Sequence, residues 1–150
     1  MRFVALALAT ALAGAAGGAE YTMEQARSTV EEHVRRTASE SEGVYRVPDG
    51  EAGTLALEFV RVSLVAAADL WRVHDPDRRV GPGAYYACIL FHAAGAPAEK
   101  VYDVDMLVEP RDGALAVTDV RVHKEKQLVD GKWIWEPRKA SRSGTAAKRP

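Results

Sequence analysis

Two aspartates, an arginine and a histidine offer the most chemistry in this sequence. Asp103 and Asp105 alternate with apolar residues in KVYDVDMLVE, and Arg121 and His123 alternate with valines in DVRVHK. Because successive side chains of a strand point to opposite faces, each pair shares one face of its strand. Paired carboxylates beside a histidine could bind a cation or transfer protons. These four residues are therefore the first candidates for a functional surface.

The strand from Ala114 to Lys124 predicts how these residues are arranged. Its apolar residues before Thr118 have odd numbers and those after Asp119 have even numbers. An uninterrupted strand would therefore bury one pair and expose the other. One extra residue at Thr118-Asp119, a β-bulge, would bring the whole set to one face. That set consists of Leu115, Val117, Val120 and Val122.

The bulge also implies a register for the hairpin. If Glu109 lies opposite Ala114 across the turn PRDG, then Asp103 lies opposite Arg121, on the face away from the core. Such faces are commonly solvated and carry pairs of opposite charge. We therefore interpret the candidates as a solvated face, with a metal site at the two aspartates and His123 as the alternative.

Two other groups are weaker candidates. The loop His74–Asp77 (HDPD) offers nitrogen and oxygen ligands but lacks the spacing and the glycine of a calcium loop, so we interpret it as a polar turn. Cys88 is the only cysteine and lies in the apolar segment AYYACILF, where burial would make its thiol inert. No motif predicts a catalytic residue, a cofactor or a metal site, and an enzyme is not favoured.

An amphipathic helix is predicted from Tyr21 to about Ser39. Thr22 and Gln25 have the spacing of a capping box, in which each side chain bonds the backbone N–H of the other residue. An apolar stripe follows at spacings of three and four residues and would face a sheet. The stripe consists of Met23, Ala26, Val30 and Val34.

Short strands joined by turns follow the helix. The stretch from Leu64 to Val73 is ambiguous between helix and strand, and Asp130-Gly131 predicts a hairpin turn with positive φ at both residues. Because strands and helices do not alternate, the sheet should be antiparallel. The predicted fold is α+β, with one N-terminal amphipathic helix packed on a curved antiparallel meander of about five strands. Five or six short strands are indicated, within Val44–Val47, Leu55–Ser63, Ala84–Phe91, Lys100–Glu109, Ala114–Lys124 and a last segment with Trp133 and Trp135.

This layout resembles the cystatin-like and nuclear-transport-factor-like superfolds. The segments YYACILF, VYDVDMLVE and DGALAVTDVRVHK also look like those of small exported bacterial proteins with the same order of elements. The resemblance spans about Tyr21 to Glu136 and is one of pattern. It implies a helix across a sheet, and it leaves the function open because such folds carry inhibitors, pockets, enzymes and assembly modules.

The N-terminus predicts export. Arg2 precedes the uncharged apolar run Val4–Ala16, and small residues end at Ala19, where we expect signal-peptide cleavage. The mature protein would be periplasmic or secreted, with one domain over residues 20–136. The segment Pro137–Pro150 has five basic residues and no acidic one, which predicts a basic disordered tail.

The charge of the domain argues against a nucleic-acid partner. The whole chain has a net charge of −1, and setting aside Arg2 and the five basic residues of the tail leaves −7 on residues 20–136. An acidic domain repels phosphates. The sequence therefore favours a non-enzymatic binding or interaction domain with an unknown envelope or extracellular protein partner, and no transmembrane segment in the mature chain.

Two surfaces could serve such binding. One is the face of the last strand that carries Trp133 and Trp135, and the other is the charged face with Asp103, Asp105, Arg121 and His123.

The alternative function is a small-ligand or hydrolytic pocket between helix and sheet. Its predicted lining is Tyr85, Phe91, Tyr102 and Met106.

Overall fold

The computed structural model describes residues 20–138, and residues 1–19 and 139–150 lie outside the described part. The predicted signal peptide and most of the predicted tail thus fall outside it. The elements are α1 (Met23–Ser39), β1 (Tyr45–Asp49), β2 (Gly53–Ala67), a 3₁₀ helix (Ala68–Val73), β3 (Tyr85–Ala93), β4 (Val101–Arg111), β5 (Ala114–Val129) and β6 (Lys132–Pro137).

The strands form one antiparallel sheet in the order β1-β2-β3-β4-β5-β6, so each strand pairs with its neighbour in sequence. The α+β class and the antiparallel meander are confirmed, but the sheet has six strands where about five were predicted. It is open, with β1 and β6 at its edges. Among residues 20–138, no helix is long and apolar enough to cross a membrane.

The capping box at the start of α1 is confirmed. The side chain of Thr22 accepts a hydrogen bond from the N–H of Gln25 at 3.2 Å, and the amide oxygen of Gln25 accepts one from the N–H of Thr22 at 2.8 Å. The apolar stripe packs on the sheet from Ala26 onward, whereas Met23 is 59% exposed. The helix therefore covers one face of the sheet, with the side chain of Met23 directed to solvent.

β2 is longer and less regular than its alternation predicts. Val60 and Ser63 are extra residues relative to β3, so the strand carries two bulges. Each bulge reverses the face on which later side chains lie. Val62, which plain alternation places opposite Leu57, is therefore buried with Leu57 in the same core.

The predicted bulge at Thr118 is confirmed. Val117 pairs with Val108 and Asp119 with Leu107, which leaves Thr118 as the extra residue. Val122 is 5% exposed and lies in the core. A second bulge, which alternation did not predict, makes His123 an extra residue between Val122 and Lys124.

The predicted register of this hairpin is wrong by two residues. Arg111, not Glu109, lies opposite Ala114, because Asp112 and Gly113 alone form the turn, with φ of 49° and 82°. These angles suit a two-residue hairpin turn. As a result Arg121 lies opposite Asp105, and the predicted pair with Asp103 does not form.

Three of the four residues predicted to line a pocket belong to the core, and the fourth packs against it. Phe91 and Met106 have no accessible surface and Tyr102 is 5% exposed, while Tyr85 packs against them partly buried. A ligand could reach Phe91 or Met106 only by displacing core side chains. The space between α1 and the sheet at these positions is filled by protein.

Candidate metal centre

The face of the sheet opposite α1 is partly covered, although the sequence predicts a solvated face. The 3₁₀ helix turns back over it and brings Trp71, with no accessible surface, against Tyr86 and Leu107. The reason is local: the run ADLWRV carries Ala68 and Trp71 three residues apart, on the same side of a 3₁₀ turn. The polar residues beside this small apolar cluster are therefore shielded from water.

Three side chains from separate elements converge at the border of this cluster. His74 follows the 3₁₀ helix, Asp105 lies on β4 and His123 lies at the second bulge of β5. Nε2 of His74 lies 2.5 Å, and Nδ1 of His123 3.0 Å, from Oδ2 of Asp105. One ligand atom from each residue lies within 4.8 Å of the other two.

Neighbouring groups fix the position of His74. Its ring lies 5.1 Å from the ring of Trp71 and 4.9 Å from that of His123, both measured between centroids. Its carbonyl oxygen accepts a hydrogen bond from the Arg121 guanidinium at 3.2 Å. The imidazole is thus held by packing and by its backbone, and its side chain is only 6% exposed.

Asp105 is the most buried charged group of the described chain, with no accessible surface. Its Oδ1 has no partner with full hydrogen-bond geometry among residues 20–138, although the Tyr86 hydroxyl approaches the carboxylate. Nδ1 of His123 also lacks one there, because its short approach to Oδ2 of Asp105 does not have hydrogen-bond alignment. Buried polar atoms are rarely left without a partner in folded proteins. Oδ1 of Asp105 and Nδ1 of His123 are therefore free to bind a further group.

Cys88 and Asp103 border the same aspartate. The thiol of Cys88 donates to Oδ1 of Asp103 at 2.6 Å, and Oδ2 of Asp103 lies 3.9 Å from Nδ1 of His123. Burial, reinforced by the neighbouring Asp103, raises the pKa of Cys88 to about 12. Burial likewise raises the pKa of Asp103 above its ordinary value. Cys88 is consequently a neutral thiol near pH 7, as the sequence predicts for a buried cysteine.

Tyr86 closes the site on the side of the apolar cluster. Burial is the main cause that raises its pKa above the ordinary value, and its contact with Asp105 adds to the effect. The hydroxyl therefore stays protonated and can only add a neutral dipole to the site.

Arg121 belongs to the rim of the site. Its guanidinium lies over the Trp71 ring, 5.7 Å from the centroid, and Nη2 lies 3.6 Å from both Asp75 and Asp119. Arg78 donates to Asp119 at 2.6 Å and to Glu109 at 3.0 Å. These ion pairs fasten the loop after the 3₁₀ helix onto β4 and β5, and so hold His74 in place.

Sequence reasoning identified part of this cluster. Asp103, Asp105 and His123 do lie together, but they are shielded rather than solvated. His74 was considered in the loop HDPD but interpreted as part of a polar turn, because that loop has no ligand spacing of its own. The one available signal was Trp71, since a tryptophan three residues before His74 must find a buried surface. Trp133 and Trp135 lie elsewhere, on the exposed edge strand β6.

Comparison of the chain with models of protein families, with characterised proteins and with solved structures finds no match to any of them.

Proposed function

We propose that this domain binds a divalent transition metal ion, with Zn²⁺ as the first candidate, through His74, Asp105 and His123. The observation that carries the proposal is the convergence of two imidazoles on a carboxylate that has no accessible surface and, within residues 20–138, one oxygen without a hydrogen-bond partner. A buried carboxylate is costly unless a cation or several hydrogen bonds compensate it. A bound ion would supply that compensation.

The ligand types favour a transition metal over calcium or magnesium. Imidazole nitrogens suit Zn²⁺, Cu²⁺ and Ni²⁺, whereas Ca²⁺ and Mg²⁺ prefer oxygen ligands throughout. Two histidines and one carboxylate are also a known zinc ligand set that leaves one position open. Asp103 is placed to complete or orient that set, since its Oδ2 lies 3.9 Å from His123.

Binding requires one small rearrangement. At bond lengths of about 2.0–2.1 Å, tetrahedral ligand atoms lie about 3.3 Å apart. The 2.5 Å hydrogen bond between His74 and Asp105 must open by less than about 1 Å. His123 gives the ion access from solvent, because its side chain is 26% exposed. The ion would thus take the place of the hydrogen bond between His74 and Asp105.

The test is a zinc titration of the metal-stripped protein by calorimetry at pH 7.5. We expect one ion per chain with a dissociation constant of about 1 µM or lower, and a rise in melting temperature that a chelator reverses. His74→Ala and His123→Ala should each weaken binding about 100-fold, because each removes a direct ligand. Mg²⁺ should give no response.

His33→Ala is the matched control, because His33 lies on α1 and contacts Tyr45 at 3.1 Å, away from the site. It should leave zinc affinity unchanged. Circular dichroism would show that each variant remains folded. Absence of zinc binding, or binding that survives loss of both His74 and His123, would contradict the proposal and leave a hydrogen-bonded structural cluster.

We propose further that this is a non-enzymatic binding domain that acts outside the cytoplasm. The non-enzymatic part rests on the lack of a catalytic motif in the sequence, and the location rests on the signal-like pattern of Arg2 and Val4–Ala16. Secretion from a bacterial host should yield a protein that begins at Glu20 in the envelope or medium, as measured by N-terminal sequencing or intact mass. A cytoplasmic product that retains Met1 or Arg2 would contradict it.

A further inference from the structure

β6 leaves a long apolar edge of the sheet uncovered within the described residues. Trp133, Ile134 and Trp135 are 36%, 39% and 42% exposed, and Leu128 on the same hairpin is 58% exposed. β6 pairs with β5 alone. An edge strand offers unpaired N–H and C=O groups, so an exposed apolar edge is a template for another strand.

The opposite edge of the sheet, formed by β1, is less suited to pairing with another strand. β1 has five residues, and Pro48 near its centre lacks an N–H to donate. In β6 the only proline is Pro137, the last residue of the strand. Of the two edges, β6 is therefore the one that can accept a complete strand.

The turn before β6 determines which of its backbone groups are free. Asp130 and Gly131 have φ of 50° and 74°, the predicted two-residue turn with positive φ at both positions. In such a hairpin the flanking residues, Val129 and Lys132, exchange backbone hydrogen bonds, and these pairs alternate along the ladder. Ile134 therefore bonds towards β5, while the N–H and C=O groups of Trp133 and Trp135 point to the free edge.

We propose that a second copy of this chain pairs antiparallel with β6 about a two-fold axis at Ile134. This register sets Trp133 opposite Trp135 of the second copy, so that their outward backbone groups bond each other. It also sets Lys132 opposite Glu136 of the second copy, and the symmetry repeats both pairs. The segment Lys132–Glu136 (KWIWE) is thus complementary to itself.

Charge makes this register preferable to its neighbours. A shift of two residues, the smallest that keeps the outward backbone groups matched, sets Lys132 or Glu136 against Ile134 of the second copy. The centred register instead forms two opposite-charge pairs and two aromatic pairs across the strands. Because one strand per copy buries little surface, the dimer should be weak, with a dissociation constant of about 10 µM or higher.

Reversal of the charges tests the register by sedimentation velocity over a range of protein concentrations. Lys132→Glu and Glu136→Lys should each raise the dissociation constant of the dimer about tenfold or more, since each sets like charges opposite twice. The double variant K132E/E136K should return it to within about threefold of the wild-type value, because the opposite-charge pairs are restored. Arg46→Glu, a charge reversal on the other edge strand, should have no effect.

Hydrogen exchange of the Trp133 and Trp135 amides distinguishes the occupants of this edge. In the dimer their protection should rise with protein concentration. Protection that does not depend on concentration would mean that the chain's own terminal segments cover β6, and it would overturn the proposal. A protein that stays monomeric, single reversals without effect, or a double variant that is not restored would overturn it as well. None of these results depends on metal binding.

Discussion

Arg138→Met is expected to lower the free energy of unfolding by about 3–5 kcal/mol near pH 7, the usual effect of removing one partner of a buried ion pair. For a domain of this size that corresponds to a fall of about 10–20 °C in melting temperature. Methionine keeps most of the side-chain volume, so the change reports on lost charge rather than on lost packing.

The expected effect follows from the surroundings of Arg138. Its guanidinium donates to Oδ1 of Asp49 at 3.0 Å and to Oδ2 at 2.5 Å, and Nη1 lies 2.7 Å from Glu125. The three side chains are only 7%, 1% and 5% exposed. Without Arg138, the one cation in close contact with the two carboxylates among residues 20–138 would be Lys100, which pairs with Glu125. The arginine therefore fastens β5 to the end of β1.

The stability difference should depend on pH. Burial alone would raise the pKa of Asp49, but hydrogen bonds from Arg138 and from the backbone N–H groups of Ala52 and Glu51 outweigh it and lower the pKa. A group with a lowered folded-state pKa stabilises the protein above its unfolded pKa of about 4, and that contribution is lost as the pH falls through the folded value. The difference between wild type and Arg138→Met should therefore shrink below about pH 4.

Urea unfolding at pH 7 and at pH 3.5 would measure this. Arg111→Met is the matched control, because Arg111 is 60% exposed and Glu109 keeps Arg78 and Thr118 as partners without it. We expect the control to change stability by less than about 0.5 kcal/mol. A loss below about 1 kcal/mol for Arg138→Met would contradict a buried ion pair, and a loss that is equal at both pH values would contradict the role of Asp49.

Arg138 also shows a limit of reasoning from composition. The run after Pro137 is basic and has little apolar surface, so the sequence assigns it to a disordered tail. The structure instead places Arg138 against Asp49, which lies 89 positions earlier. Local composition cannot show such a partner, because the partner is brought close only by the order of the strands.

The β4–β5 hairpin shows what alternation can and cannot predict. The parity of Val117 and Val122 required a bulge between them, since burial of both is otherwise impossible, and the bulge lies at Thr118. The register was wrong because Pro110 was assigned to the turn. Pro110 is tolerated in β4 since it lies beyond the last residue that β3 pairs with, at Val108. The missing N–H therefore breaks no ladder bond.

The candidate site was half predictable for a similar reason. Alternation, together with the bulge at Thr118, placed Asp103, Asp105 and His123 on one face, because the apolar neighbours of each strand indicate which of its faces is buried. It could not show that the face is covered, since this depends on where the chain goes after β2. The face is covered by part of the ambiguous stretch Leu64–Val73, which begins as strand and ends as a 3₁₀ helix folded over the sheet.

Trp71→Ala is therefore expected to have two effects. It should lower the free energy of unfolding by about 3–5 kcal/mol, because it removes a tryptophan that has no accessible surface. It should also weaken zinc binding about tenfold or more, because the Trp71 ring packs on the imidazole of His74, 5.1 Å between centroids. Urea unfolding measures the first effect, and calorimetry at a temperature where the variant is folded measures the second.

Trp71→Phe separates packing from polarity at this position. The indole Nε1 is buried without a hydrogen-bond partner among the described residues, so phenylalanine removes an unsatisfied N–H along with part of the volume. We expect it to lose less than half of the stability lost by alanine and to keep most of the zinc affinity. If Trp71→Ala destabilised the fold but left zinc affinity intact, His74 would be held by the Arg121 bond and the loop alone. The covering of the sheet and the shape of the site would then be independent features of this fold.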